Sequence, residues 1–258
     1  MGKRTAIVLS AGSGKRMNTD TKKQYLLINN KPIIYYSLNT FQQSSIIDEI
    51  ILVASADDLA FVKEEIVNKY GFSKVSNIVA GGRERYNSVY NGLMCCKDSE
   101  YVFIHDGARP FITEDIIERA MGVLLECGSA VVGMPVKDTI KIVNESSEVI
   151  DTPNRKTVWQ VQTPQCFRAD IVIPAYQKLI DEEKSGELSK RGIQVTDDAM
   201  VVETFFDIEK PSENTTDLKN VGTSDFSGRV RLVEGSYENI KITTPEDLKI
   251  AEVFLQGT

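Results

Sequence analysis

Short apolar, β-branched runs alternate with helix patterns through the first half of the chain, and few folds accept that order. The runs are Thr5–Leu9, Glu49–Ala54, Val75–Val79, Tyr101–Ile104 and Ala130–Met134. Each is brief, continuous and bounded by turn residues, as expected of a strand buried on both faces. Ile33, Ile34, Ser37, Leu38 and Phe41 share one helical face behind Pro32, which suits a first turn. Asp57 or Asp58 can cap a helix running to Tyr70. A further helix is expected from about Tyr86 to Cys96, and Thr113 caps another that reaches about Cys127. Such alternation predicts an α/β protein with a doubly wound, mostly parallel sheet. Ligands of these sheets sit beyond the carboxyl ends of the strands. The polar loops at 10–16, 81–85 and 105–110 each follow an expected strand, so they belong on one edge and mark a site there.

The first of these loops carries the most chemistry. Thr5–Leu9 runs into Ser10-Ala11-Gly12-Ser13-Gly14, and the cations Lys15, Arg16, Lys22 and Lys23 follow closely. A strand end, a glycine loop and clustered cations make a seat for a polyphosphate: backbone N–H groups cradle the anion and side chains neutralise it. The Walker spacing is absent, and the dinucleotide fingerprint fails because Met17 stands where a Gly or Ala is required. An ordinary strand-turn with a solvated basic patch is the competing reading of this stretch alone. The net charge of −7 over 258 residues argues against general nucleic-acid binding, so the basic cluster runs against the global sign. The length suits one large α/β domain or two small ones. No run of about 18 apolar residues predicts a membrane span, and the N-terminus lacks the apolar core of a signal peptide. Cys95, Cys96, Cys127 and Cys166 show no C-x-x-C spacing and read as reduced core thiols of a cytoplasmic protein.

The alternation breaks near Val136. Asp138 to Val143 alternates with period two, a polar turn spans Asn144 to Glu148, and Val149 to Val161 is extended again, which predicts a β-arm at about 136–160. Gln162-Thr163-Pro164-Gln165 reads as a turn, and a helix is expected from about Asp170 to Glu183. Thr196-Asp197-Asp198-Ala199 looks like a helix N-cap followed by acidic first-turn residues. Residues 207–228 are polar and aperiodic and read as a surface loop. After an expected strand at Arg229–Val233, Thr244 as N-cap, Pro245 at N1 and Asp247 at N3 open a last helix to about Leu255.

A set of motifs in one order along nearly the whole chain carries a resemblance. It comprises Ala11-Gly12-Ser13-Gly14-Lys15-Arg16-Met17, Lys23-Gln24-Tyr25, Gly81-Gly82 with Arg85 and Ser88-Val89, and His105-Asp106 with Ala108-Arg109-Pro110. It continues with Asp138-Thr139-Ile140-Lys141, Arg155, Trp159 with Gln162-Thr163-Pro164-Gln165, Thr196-Asp197-Asp198-Ala199 and Asn239-Ile240-Lys241-Ile242-Thr243. The set resembles the 2-C-methyl-D-erythritol 4-phosphate cytidylyltransferases of the non-mevalonate isoprenoid pathway. The departures are Ser10-Ala11-Gly12 for the family's Ala-Ala-Gly, Lys22-Lys23-Gln24 for Pro-Lys-Gln, and an apparent insertion at 207–228.

The resemblance implies one Rossmann-like nucleotidyltransferase domain over 1–258 that moves CMP from CTP to a polyol phosphate and releases pyrophosphate. A phosphate nucleophile is largely ionised near pH 7, its second pKa being about 6, so no general base is needed. Alignment and charge stabilisation carry such a transfer. By resemblance, Arg16 and Lys23 stabilise the α-phosphate, and Arg155 and Lys241 position the acceptor. Ala11, Gly12, Gly14, Lys15, Gly82 and Ser88 match the CTP contacts. Asp106, Arg109, Thr139, Thr163 and Thr196 match acceptor contacts, and Asp106 is the candidate to support Mg²⁺. Bland readings stand beside these: Gly82 as a helix-capping turn, Thr196 as an N-cap, and His105, the only histidine, as structural. The family also implies a homodimer joined through the arm, with Arg109 and Thr139 lent across the interface. A ribitol 5-phosphate cytidylyltransferase and a catalytically dead nucleotide binder are the alternatives.

Overall fold

The computed structural model describes residues 2–12, 22–206 and 229–256. Ser13, Gly14, Lys15 and Arg16 of the glycine loop, and the apparent insertion at 207–228, lie outside them.

The chain opens with strand β1 (Lys3–Ser10), a small antiparallel pair β2 (Leu27–Ile28) and β3 (Lys31–Pro32), and helix α1 (Ile33–Gln43). Strand β4 (Glu49–Ala54) precedes α2 (Leu59–Phe61), which continues as a π-helical stretch, Val62–Asn68. Then come β5 (Val75–Ala80), α3 (Arg85–Leu93), β6 (Ser99–Asp106), α4 (Glu114–Cys127) and β7 (Ser129–Pro135). An excursion holds β8 (Ile142–Val143) and β9 (Val149–Asp151). The remainder is β10 (Trp159–Arg168), α5 (Ala169–Ser185), α6 (Glu187–Lys190), α7 (Asp198–Phe205), β11 (Leu232–Glu234) and α8 (Pro245–Gln256).

Among the described residues the central sheet has seven strands in the order β11-β7-β10-β6-β1-β4-β5. All neighbours run parallel except β10, which is antiparallel to both β6 and β7. The doubly wound α/β expectation therefore holds. Side chains alternate across the strands and build a core on each face. On one face Ala6, Val8, Ile50, Leu52 and Phe103 pack with α1, α4 and the π-helical stretch. On the other, Ile7, Ile51, Val53, Val102 and Ile104 pack with α3, α5 and α7. The buried residues of α1 are Ile33, Ile34, Ser37, Leu38 and Phe41, the face read from the sequence. A smaller cluster of Ile28, Ile33, Ile242 and Ala251 fastens α8 and the Ile242 segment to the β2–β3 hairpin.

Two local expectations fail. The arm's second extended run does not continue to Val161: β8 pairs only with β9, and β10 leaves the arm at Trp159 to enter the central sheet. The Gln162–Gln165 stretch is not a turn but lies within β10, where Thr163–Pro164 is cis and the register to β7 shifts between Val161 and Gln165. Proline has no N–H for a ladder, and that irregularity accommodates it inside a central strand.

Candidate active site

The described residues of the three polar loops meet at the carboxyl edge of β1, β5 and β6, as the alternation requires. Gln24, almost wholly buried, pins the first loop by donating from its side-chain amide to the carbonyls of Ser10 and Gly12 (3.1 Å to Gly12). The second loop packs directly against the first. A Cβ built at Gly81 would stand 2.4 Å from the Ala11 Cβ, so no larger residue fits there. The Gly82 amide donates to Ser88 Oγ at 3.0 Å, and a Cβ at Gly82 would meet Asn87 at 2.3 Å. Gly82 and Ser88 thus shape the start of α3 as well as lining the cleft. Glu84 and Asn87 close a reciprocal cap around the same turn.

In the third loop a chain of hydrogen bonds fixes the backbone of Asp106. Its N–H donates to Thr163 Oγ1 at 3.1 Å, Thr163 lies 3.1 Å from His105 Nδ1, and His105 Nε2 lies 3.1 Å from the Arg109 carbonyl. A carbonyl only accepts, so the ring proton is assigned to Nε2 and the Thr163 hydroxyl donates to Nδ1. His105 is fully buried, and burial drives its pKa down to about 4. It is neutral and structural, as a lone histidine at a strand end suggests.

Two adjoining clefts open on this edge, of about 410 Å³ and 360 Å³. The first is lined by Ala11, Gly12, Lys23, Gly82 and Ser88, the described members of the nucleotide and α-phosphate sets. The second is lined by Arg109, Thr163 and Thr196 from the acceptor set, with Gln165 and Asp197. Arg85, Asp106 and Lys241 line both. Lys241 Nζ lies 2.6 Å from Asp106 Oδ2, and Arg85 Nε lies 3.2 Å from Oδ1. Burial alone would raise the Asp106 pKa; the charges of Arg85, Lys241 and Arg109 overcome it and hold the carboxyl far below the usual range. Lys23 Nζ donates to the Ile242 carbonyl at 3.0 Å, which brings the start of the chain against the Lys241 segment. Lys22 turns away to Asp58 at 2.6 Å and does not duplicate Lys23.

Arg109 stands in the second cleft of its own chain. Its Nη1 donates to the Asn239 carbonyl at 2.8 Å, and its buried Nε has no hydrogen-bond partner among the described residues. Asp197, not Thr196, caps α7, accepting from the Met200 amide at 3.0 Å; Thr196 is left exposed at the cleft. Thr139 and Arg155 are exposed on the excursion and do not line either cleft, and Arg155 donates to the Lys137 carbonyl at 3.2 Å. Among the described residues no group of three His, Cys, Asp or Glu side chains is arranged to hold a metal. Both oxygens of Asp106 face cations, so the donor set does not fit Asp106 as a direct Mg²⁺ ligand.

Sequence reasoning gave Arg85 no role, although its position carried a signal. It is the first residue of α3, where a cation opposes the helix dipole, so a carboxylate partner was to be expected.

The family model of 2-C-methyl-D-erythritol 4-phosphate cytidylyltransferase (IspD) matches residues 5–210. A protein of that name from Clostridium botulinum strain Loch Maree is 46% identical over 257 residues, 99% of each chain. Another from Lachnospira eligens is 44% identical over 253 residues, 98% of this chain and 99% of the other. The crystal structure of 4-diphosphocytidyl-2C-methyl-D-erythritol synthase from Anaerococcus prevotii superposes with a TM-score of 0.78 at 32% identity, covering 99% of this chain and 96% of that one.

Proposed function

The chain belongs to the 2-C-methyl-D-erythritol 4-phosphate cytidylyltransferase family, and from that premise we propose how its own residues divide the reaction. It is a CTP-dependent nucleotidyltransferase that joins CMP to 2-C-methyl-D-erythritol 4-phosphate and releases pyrophosphate. The observation that carries the division of labour is the shared wall. One cleft reaches the glycine loop, the other gathers Arg109, Thr163 and Thr196, and Asp106 with Lys241 stands between them.

In our reading CTP enters the first cleft, its base and ribose against Gly82 and Ser88 and its phosphates against Ala11 and Gly12. Gly14, Lys15 and Arg16 extend that cradle on the family's pattern. Lys23 and Arg16 draw off negative charge that develops at the α-phosphorus. The acceptor phosphate enters the second cleft, steered by Lys241 and Arg109. As a dianion it attacks without a general base, and the cations align it in line with the leaving pyrophosphate. Asp106 sets the cations around it rather than ligating a metal ion; a divalent cation brought with CTP would supply further charge neutralisation. We further propose a homodimer in the cytoplasm, in which Thr139 and Arg155 serve from the arm.

Pyrophosphate release tests the reading directly, with CTP, Mg²⁺ and either methylerythritol 4-phosphate or ribitol 5-phosphate. Release with methylerythritol phosphate alone is expected. Release with ribitol phosphate alone would overturn the acceptor, and release with neither would overturn the activity.

A further inference from the structure

Behind the wall between the clefts lies a carboxylate the reaction scheme does not use. Asp198 is wholly buried in the first turn of α7. Its two oxygens receive Arg85 Nη1 and Nη2, both at 2.8 Å, in a bidentate fork. The hydroxyl of Tyr176, also wholly buried, donates to Oδ1 from α5. The turn itself is clamped to β10: Gln165 Nε2 donates to Asp197 at 3.0 Å and the Ala199 amide donates to Gln165 Oε1 at 2.7 Å. Arg85 then reaches forward with Nε to Asp106 Oδ1 at 3.2 Å, and Asp106 Oδ2 holds Lys241 at 2.6 Å. The row Tyr176–Asp198–Arg85–Asp106–Lys241 therefore runs unbroken from the core to both clefts.

Burying a charge so completely is costly unless it is paired, and an apolar residue would serve packing alone at least as well. Arg85 at the start of α3 also opposes that helix's dipole. Asp198 suits the start of its own helix but Arg85 does not, and it is the fork to Asp198 with the contact to Asp106 that holds Arg85 there. We propose that Asp198, backed by Tyr176, is a positioning residue that aims Arg85, and that Arg85 in turn sets Asp106 so that Lys241 is presented to the acceptor phosphate. The inference rests on the acceptor reading of the second cleft.

The test is steady-state kinetics on the full chain with CTP and methylerythritol phosphate, for wild type, Asp198→Asn, Arg85→Gln and Arg85→Lys, each checked for folding by thermal melt. A misplacement of about 1 Å at a reacting group can cost about a hundredfold. Asp198→Asn and Arg85→Gln are expected to lower kcat/KM for the acceptor by roughly ten- to a hundredfold while the KM for CTP moves less than about twofold. Arg85→Lys, which keeps the charge but loses the fork, is expected to recover part of the loss. Folded Asp198→Asn with wild-type constants overturns the proposal, as does a rise in CTP KM equal to the acceptor's. If Asp198→Asn does not fold, Tyr176→Phe replaces it: a fall of about threefold in acceptor kcat/KM supports the relay, and no change overturns it. An inactive wild type would instead sink the functional reading itself.

Discussion

At neutral pH His105 carries no charge, because burial holds its pKa at about 4 against an ordinary 6.5. The unfolded chain takes up that proton as pH falls through 6.5, while the folded chain resists until about 4. Stability is therefore lost on acidification across this window, by about 3 kcal/mol in total from this residue. Asp106 acts in a lower window: its depressed pKa stabilises the fold above the unfolded value of 3.8, and that contribution drains away only below it. Urea unfolding at pH 7 and pH 4.5 checks the first effect, and equal midpoints would refute it. Lys23 offers the clearest kinetic test at this scale. It lines the nucleotide cleft, and Lys22 is committed to Asp58, so Lys23→Ala is expected to cut kcat by roughly a hundredfold or more. Near-normal turnover would remove Lys23 from the mechanism.

Among the elements, α8 shows how a helix start positions a cation just ahead of it in the chain. Asp247 Oδ2 accepts from the amides of Thr243 and Thr244 at 2.8 Å and 2.9 Å and from the Thr243 hydroxyl at 2.7 Å. These bonds hold the segment whose Ile242 amide donates to the Ala108 carbonyl at 2.9 Å, beside Lys241. Asp247→Ala is expected to cost about 1–2 kcal/mol of stability and to raise the acceptor KM. A thermal melt and an acceptor titration report the two effects separately; an unchanged melting temperature would count against the cap. That helix start was legible in the sequence because capping is local, within residues 244–247. The α1 face was legible for the same reason. The path of β10 was not: Thr163-Pro164-Gln165 has the composition of a turn, and only pairing with β6 and β7 makes it a strand. Arg85 and Asp198 lie 113 residues apart, so local pattern could not join them.

At the scale of the whole molecule, the exposed excursion has little support from its own chain. Ile142, Val143, Val149 and Ile150 expose apolar side chains on a two-stranded ribbon that packs little of its own core. If it seats on a second copy, deleting residues 140–152 converts a dimer into a monomer and abolishes turnover. Sedimentation velocity and the pyrophosphate assay decide this; an active monomer would rule it out. The sequence disclosed the sheet and the edge where its polar loops meet, because strand alternation dictates which loops meet; the side chains it named for the two clefts came through the family resemblance. It did not disclose that Arg109 already stands in the cleft of its own chain, since that depends on the Asn239 segment folding back over the third loop.

The position of β10 has a consequence for how the protein is made. Among the described residues it is the only bridge between β6 and β7, and β11 comes later still, so a nascent chain that has not reached Trp159 holds a four-stranded sheet and a β7 without strand neighbours. Each then shows a bare edge to the solvent, apolar on both faces and open to pairing with a neighbouring chain. Synthesis thus passes through an interval of exposure that ends when one strand slides between two waiting ones. A fragment comprising residues 1–155 is expected to aggregate alone and to stay dispersed when residues 156–258 are co-expressed as a separate chain. Light scattering of the two preparations tells the cases apart, and a clear, monomeric fragment would show that the open edges of β6 and β7 protect themselves.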